Sequence, residues 1–254
     1  MTAPPPPRAA AQVRRDWARL SSPASEPALF RPDLVTGLPE PARRWLTHAI
    51  RPATPLARSV ELQMHGHIRL GTWRSFTATQ VLAPPDGFIW AATARVLGLP
   101  VSGYDRFSSG TGQMRWRLLG LIPVLTADGP DVTASAAGRL ASEGVLLPTS
   151  FGAATWTAAG PHHVTASWRI GPHQERVDLH VGERGQLRQV LIQRWGNPNR
   201  SPYGRYPFGV TVEAESTFAG ITIPSKFRAG WWSGTDRQDE GEFFRARITD
   251  AVFR

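Results

Sequence analysis

The chain has 254 residues, 41% of them hydrophobic and 19% charged, with 24 Gly, 23 Pro, 10 Trp and no Cys. This composition excludes collagen, coiled coil and a disordered polar chain, and the absence of thiols excludes disulfide frameworks, cysteine nucleophiles and thiolate zinc sites. The net charge of +9 is carried almost wholly by arginine, with nine arginines against four acids in residues 1–58; because the cations are scattered and not grouped with stacking aromatics, nucleic acid is not an expected partner.

Residues 1–58 hold 11 of the prolines and read as a tail followed by short helices. Pro4–Pro7 is a polyproline stub. Val13, Trp17 and Leu20 recur at helical spacing within Gln12–Leu20, and Leu38-Pro39-Glu40-Pro41 opens a second helix that Pro52 ends. No apolar segment follows Met1, and no run of about 20 apolar residues occurs, so neither an export signal nor a membrane span is read and a cytoplasmic location is expected.

From Val60 the period changes to two. Val60, Leu62, Met64, Ile68 and Leu70 fall on one face, and Glu61, Gln63, His65, His67 and Arg69 on the other, as in a half-buried antiparallel strand. Further strands are predicted over residues 73–81, 88–93, 101–107, 111–118 and 124–127. After a helix over Asp131–Gly144 they resume at 155–158, 164–170, 176–181, 187–195, 210–218, 226–232 and 242–252. Turn signals such as Pro84-Pro85-Asp86-Gly87, Gly171-Pro172 and Ala219-Gly220 separate them. A long meander with one central helix predicts a mainly β (α+β) protein. Its core is one large, strongly curved antiparallel sheet, a half-barrel wrapped around that helix, with short N-terminal helices. Residues 1–37 are expected to be a Pro/Arg-rich tail with room for a short helix, and residues 38–254 a single β domain.

The block Gly98-Leu99-Pro100-Val101, Gly103, Asp105, Gly110-Thr111-Gly112-Gln113-Met114, Leu118 to Val124, Gly129-Pro130, Arg139-Leu140, Glu143 and Leu147-Pro148-Thr149 resembles domain-of-unknown-function family 6544 of bacterial proteins. Arg44-Trp45-Leu46 and Gly220-Ile221-Thr222-Ile223-Pro224 add to the resemblance. Val145-Leu146 departs from it, where an aromatic is often found. The family has no assigned activity. By fold analogy, the curved sheet is also similar to the lipoprotein-carrier superfamily, which implies an acyl chain held in the concavity.

Four groups of residues carry candidate chemistry. His65 and His67 point to one side of a strand as metal ligands do, but no third ligand stands at a recognisable spacing, and the face they share with Glu61 and Arg69 reads as solvated. Asp105, between Tyr104 and Arg106, reads as a turn brace or as a general base. Arg139 and Glu143 lie one helical turn apart and can pair, either bracing the fold or gripping a polar head group. Trp90, Trp116, Trp156, Trp168 and Trp195 fall in predicted strands and serve either as core or as the lining of an apolar pocket. The sequence lacks Gly-x-Ser-x-Gly and His-Glu-x-x-His, and no Lys-Ser/Thr follows Gly110-Thr111-Gly112.

The favoured expectation is a non-catalytic binder of a lipid or other apolar, acyl-bearing molecule, needing no cofactor. The alternatives are a hydrolase-like enzyme with a polar site around Asp105, Arg106, Arg139 and Glu143, or an interaction scaffold that uses residues 1–37 as a flexible arm.

Overall fold

Strand alternation broken by turns is realised as two runs of hairpins. In the computed structural model, which describes residues 6–254, the first run is β1 (Val60–Leu70), β2 (Thr72–Ala83), β3 (Gly87–Val96), β4 (Leu99–Ser108), β5 (Thr111–Leu118) and β6 (Ile122–Asp128). The second is β7 (Ala154–Ala158), β8 (His163–Ile170), β9 (His173–Val181), β10 (Leu187–Gly196), β11 (Gly204–Phe218), β12 (Ile221–Trp231) and β13 (Glu242–Phe253). Pro4 and Pro5 of the expected polyproline stub lie outside the described residues.

All thirteen strands form one antiparallel sheet in the order β6-β5-β4-β3-β2-β1-β13-β12-β11-β10-β9-β8-β7. Two wings therefore meet at a central seam, where β1 pairs with β13 from Val60 opposite Phe253 to Ile68 opposite Phe244. Ser109-Gly110, Leu119-Gly120 and Ala219-Gly220 each carry two successive positive φ angles, such as 55° and 72° at Leu119 and Gly120. That geometry matches the twist of the strands it joins.

The concave face is apolar and has to be covered. The cover is α3 (Pro130–Glu143), which touches β4, β5 and β6 on one wing and β8, β9 and β10 on the other. Its buried face of Ala136, Ala137, Leu140 and Ala141 is mostly small, so the helix lies close to the strands. Beside it α2 (Glu40–Ala49) buries Trp45, Leu46 and Ala49 against β7, β8, β9 and β12. Among the described residues no helix is long and apolar enough to cross a membrane.

The N-terminal segment is not a free arm. A 3₁₀ turn at Arg8–Val13 and α1 (Arg14–Leu20) place Ala10, Val13, Trp17 and Leu20 on the convex face, against Val81, Ala83, Ile89, Ala91 and Tyr104. This second core explains why β3 is buried on both faces. The segment is pinned by Arg19 Nη2 donating to Ser108 Oγ at 2.7 Å and by an ion pair between Asp16 and Arg106. β11 and β12 both start earlier than their apolar patterns predict. Pro224 stands inside β12 opposite Glu215, where the register of β11 shifts and a missing N–H is tolerated.

The seam depends on Gly66. A Cβ there would lie 1.9 Å from the carbonyl oxygen of Arg245, a backbone atom that cannot move aside. We expect Gly66→Ala to destabilise the protein by about 1–3 kcal/mol. Gly37→Ala, whose Cβ would meet nothing within 4 Å, should change stability by no more than about 0.5 kcal/mol. Chemical denaturation of the two variants checks the contrast.

Candidate functional site

Between α3 and the concave face lies a cavity of about 260 Å³. Its wall is largely apolar: Met64 and Ile68 of β1, Trp90 of β3, Met114 of β5, Phe208 of β11, and Phe227 and Trp231 of β12 all face it. Phe243 and Phe244 line it together, although neighbours on a strand ordinarily point to opposite faces. A register shift between β12 and β13 beside them, where Ala229 faces Phe244 and Gly230 faces Glu242, leaves Phe243 without an opposite number and turns both rings inward.

One side of the cavity is polar. Asp105 and Trp116 come from β4 and β5, Gln80 from β2, and Arg139 and Glu143 from the last turns of α3. Arg139 Nη1 donates to Asp105 Oδ2 at 3.1 Å and its Nε to Glu143 Oε1 at 2.7 Å. Trp116 Nε1 donates to Asp105 Oδ1 at 2.8 Å and Gln80 Nε2 to Glu143 Oε2 at 2.6 Å. All four carboxylate oxygens are thus occupied. The Arg139 guanidinium also lies 4.7 Å from the Phe88 ring centre and 5.2 Å from that of Trp90, a cation–π arrangement.

Burial and charge act in opposite directions on this cluster. Burial raises the pKa of Asp105 above the usual aspartate value, and the nearby Arg139 and the Trp116 N–H only partly counter it. Burial works against the charge of Arg139, but Glu143 and Asp105 together outweigh it and hold its pKa above the ordinary arginine value. Arg194 of β10 also lines the cavity, and its pKa is pushed down to about 10 by burial and then by the like charge of Arg139.

The polar constellation read from the sequence is therefore only partly assembled. Asp105, Arg139 and Glu143 converge, but Arg106 does not. As the next residue along β4 it points to the convex face, where it pairs with Asp16 and donates from Nε to Gln113 Oε1 at 3.3 Å. Nor does Asp105 brace a turn; it lies mid-strand and bonds across the sheet and to the helix. His65 and His67 are exposed on the convex face, and among the described residues no group of three His, Cys, Asp or Glu is placed to hold a metal.

The tryptophans divide in the same way. Trp90 lines the cavity and Trp116 stands behind it, with ring centres 5.7 Å apart. Trp156 packs 6.0 Å from Trp45 of α2, Trp168 lies against Gly144 just after α3, and Trp195 donates to Asp131 Oδ1 at 2.9 Å. These three hold the helices to the sheet. The wall is completed by Phe208, Phe227, Trp231, Phe243, Phe244 and Arg194. A run of two phenylalanines in an otherwise alternating strand was the one local signal for part of it.

A single curled antiparallel sheet with a helix across its concave face, roofing an apolar cavity with one charged wall, defines the class of protein. The chain belongs to the family of unknown function DUF6920, whose model matches residues 36–253. This replaces the number 6544 given by the sequence resemblance, and the residues that carried the resemblance lie within the matched span. None of the curated proteins matches the chain. Among solved structures, a LolA superfamily protein from Nitrosomonas europaea is similar at a TM-score of 0.43 and 10% identity, over 84% of this chain and 93% of that one. A domain described as an outer membrane lipoprotein-sorting protein from Vibrio parahaemolyticus is similar at 0.41 and 8%, over 77% and 85%. A DUF1329 family protein from Desulfovibrio piger is similar at 0.36 and 12%, over 78% and 86%.

Two outcomes follow from the charged wall. Arg139→Met strips two partly buried carboxylates of their counter-ion and is expected to cost about 1–3 kcal/mol in denaturant unfolding, part of which D105N and E143Q added to it should restore. The second concerns pH. Because the folded-state pKa of Asp105 is raised, the unfolded chain ionises first as pH increases, so wild-type stability falls through the window from the usual aspartate value up to the folded one. The stability of Asp105→Asn relative to wild type should therefore rise across that window, as measured by unfolding at a series of pH values.

Proposed function

We propose that the protein is a non-catalytic binder of an apolar, acyl-bearing small molecule, taken up between α3 and the concave face of the sheet. The observation that carries this reading is the aromatic cavity of about 260 Å³ left open inside an otherwise filled core. For comparison, an apolar cavity of about 150 Å³ stays dry and takes up benzene. Phenylalanine, methionine and valine side chains offer dispersion and desolvation but few hydrogen bonds, which suits a hydrocarbon chain better than a polar substrate.

The hydrolase-like alternative needs a carboxylate free to take a proton from a substrate or to attack one. Asp105 and Glu143 each have both oxygens engaged, with Arg139, Trp116 and Gln80 as their donors. Their geometry supports a brace that keeps the roof of the cavity in place.

Mass spectrometry of the organic extract of natively purified protein, set against its native mass, tests the binding reading. An apolar molecule near one per chain is the expected result. Val210→Phe, which fills part of the cavity, should lower the affinity for a hydrophobic fluorescent probe by at least about tenfold, equivalent to about 1.4 kcal/mol. A ligand-free extract combined with a probe that does not bind wild type would overturn the proposal.

A further inference from the structure

The cavity contains two arginines in different situations. Arg139 is paired directly with two carboxylates. Arg194 crosses from β10 beneath α3, where Gly138 gives it room: a Cβ at that position would lie 3.3 Å from Arg194 Cγ. Its guanidinium sits in the corner made by two rings packed edge to face, 4.8 Å from the centre of Phe208 and 5.4 Å from that of Trp231. Its hydrogen bonds are long ones, from Nε to the carbonyl oxygen of Ser135 at 3.3 Å and from Nη2 to Ser135 Oγ at 3.4 Å.

The carboxylates nearby are committed elsewhere. Asp105 and Glu143 pair with Arg139, and the fully buried Glu175 is held by both terminal nitrogens of Arg205, at 2.8 and 3.0 Å. Among the described residues none stands within ion-pairing distance of Arg194. A guanidinium presents five N–H donors in a planar fork that matches a carboxylate or phosphate, and a cation in an apolar, ring-lined site gains most from an anion brought to it.

Resting on the reading of the cavity as an acyl-binding site, we propose that its ligand is an anionic amphiphile, whose carboxylate or phosphate head is received by the Nη1 and Nη2 N–H groups of Arg194 that Ser135 leaves open, while its chain lies along Phe208, Phe227 and Phe244. The depressed pKa of Arg194 fits an unpaired cation that a bound anion would restore toward its ordinary value.

The test compares three probes of one chain length on the full protein at about pH 8, where a free carboxylate is ionised: dodecanoic acid, dodecyl phosphate and dodecanol. Wild type is expected to bind the better of the two anions at least about tenfold more tightly than the alcohol, a difference of about 1.4 kcal/mol. The order of the two anions assigns the head as carboxylate or phosphate. Arg194→Gln should bind all three alike, at close to the affinity of wild type for the alcohol. The wild-type comparison needs no variant and decides by itself if Arg194→Gln does not fold. Equal binding of alcohol and anions by wild type, or an anion preference that survives in Arg194→Gln, overturns the head-group assignment and leaves the cavity reading standing. Failure of all three probes to bind overturns both.

Discussion

A sheet curled this far presents its apolar concave face to whatever covers it, and the cover here, α3, carries two charged residues in its last turns, Arg139 and Glu143, on the side that faces the sheet. The contact that makes this possible is Arg139, held on one side by Glu143 of its own helix and on the other by Asp105 of β4. Such a largely desolvated group adds little net stability compared with an apolar replacement, since desolvation consumes most of the attraction. What it does is directional. A planar guanidinium tied to two carboxylates and laid over Phe88 and Trp90 allows the helix one depth and one rotation, and through Gln80 and Trp116 that constraint reaches three strands.

With the depth of α3 set, the space left beneath it follows from side-chain size. The helix buries alanines where it lies closest to the sheet, and the aromatic rings of β11, β12 and β13 close the far side without reaching the roof. The bulge that turns Phe243 and Phe244 inward and the cluster that spaces the roof together make a chamber that is greasy on one side and charged on the other. Arg139 belongs to the frame. Arg194, at the same wall, is not fastened by an acid.

The fold was legible because its signals are local. Period-two apolarity from Val60, turn dipeptides ending in glycine, and an alanine-rich stretch that breaks the alternation are each consequences of a single strand, hairpin or helix, and the thirteen strands and central helix answer to them. The site was legible only where helical spacing brings residues together, as with Arg139 and Glu143. The nearness of Asp105 to a turn points to a turn brace, whereas its partner on α3, Arg139, is 34 positions away. Arg106, adjacent to it in sequence, is carried to the opposite face by the strand and pairs there with Asp16. The phenylalanine wall and the convex docking of α1 depend on long-range register and on which face of β3 is left open, and neither is written in any short window.

The sheet order also bears on how the chain reaches this structure. Each wing is a succession of neighbouring hairpins that form from contacts close in sequence, whereas the seam joins the first strand to the last and closes a loop of almost the whole body. The entropy of closing such a loop grows only with the logarithm of its length, about 0.6 kcal/mol for each doubling. The sheet therefore concentrates its own non-local pairing in one ladder. The sheet is thus two locally encoded halves and one ladder between sequence-distant ends, and residues inserted at the hairpin tips would lengthen the loop which that ladder closes at very little thermodynamic cost.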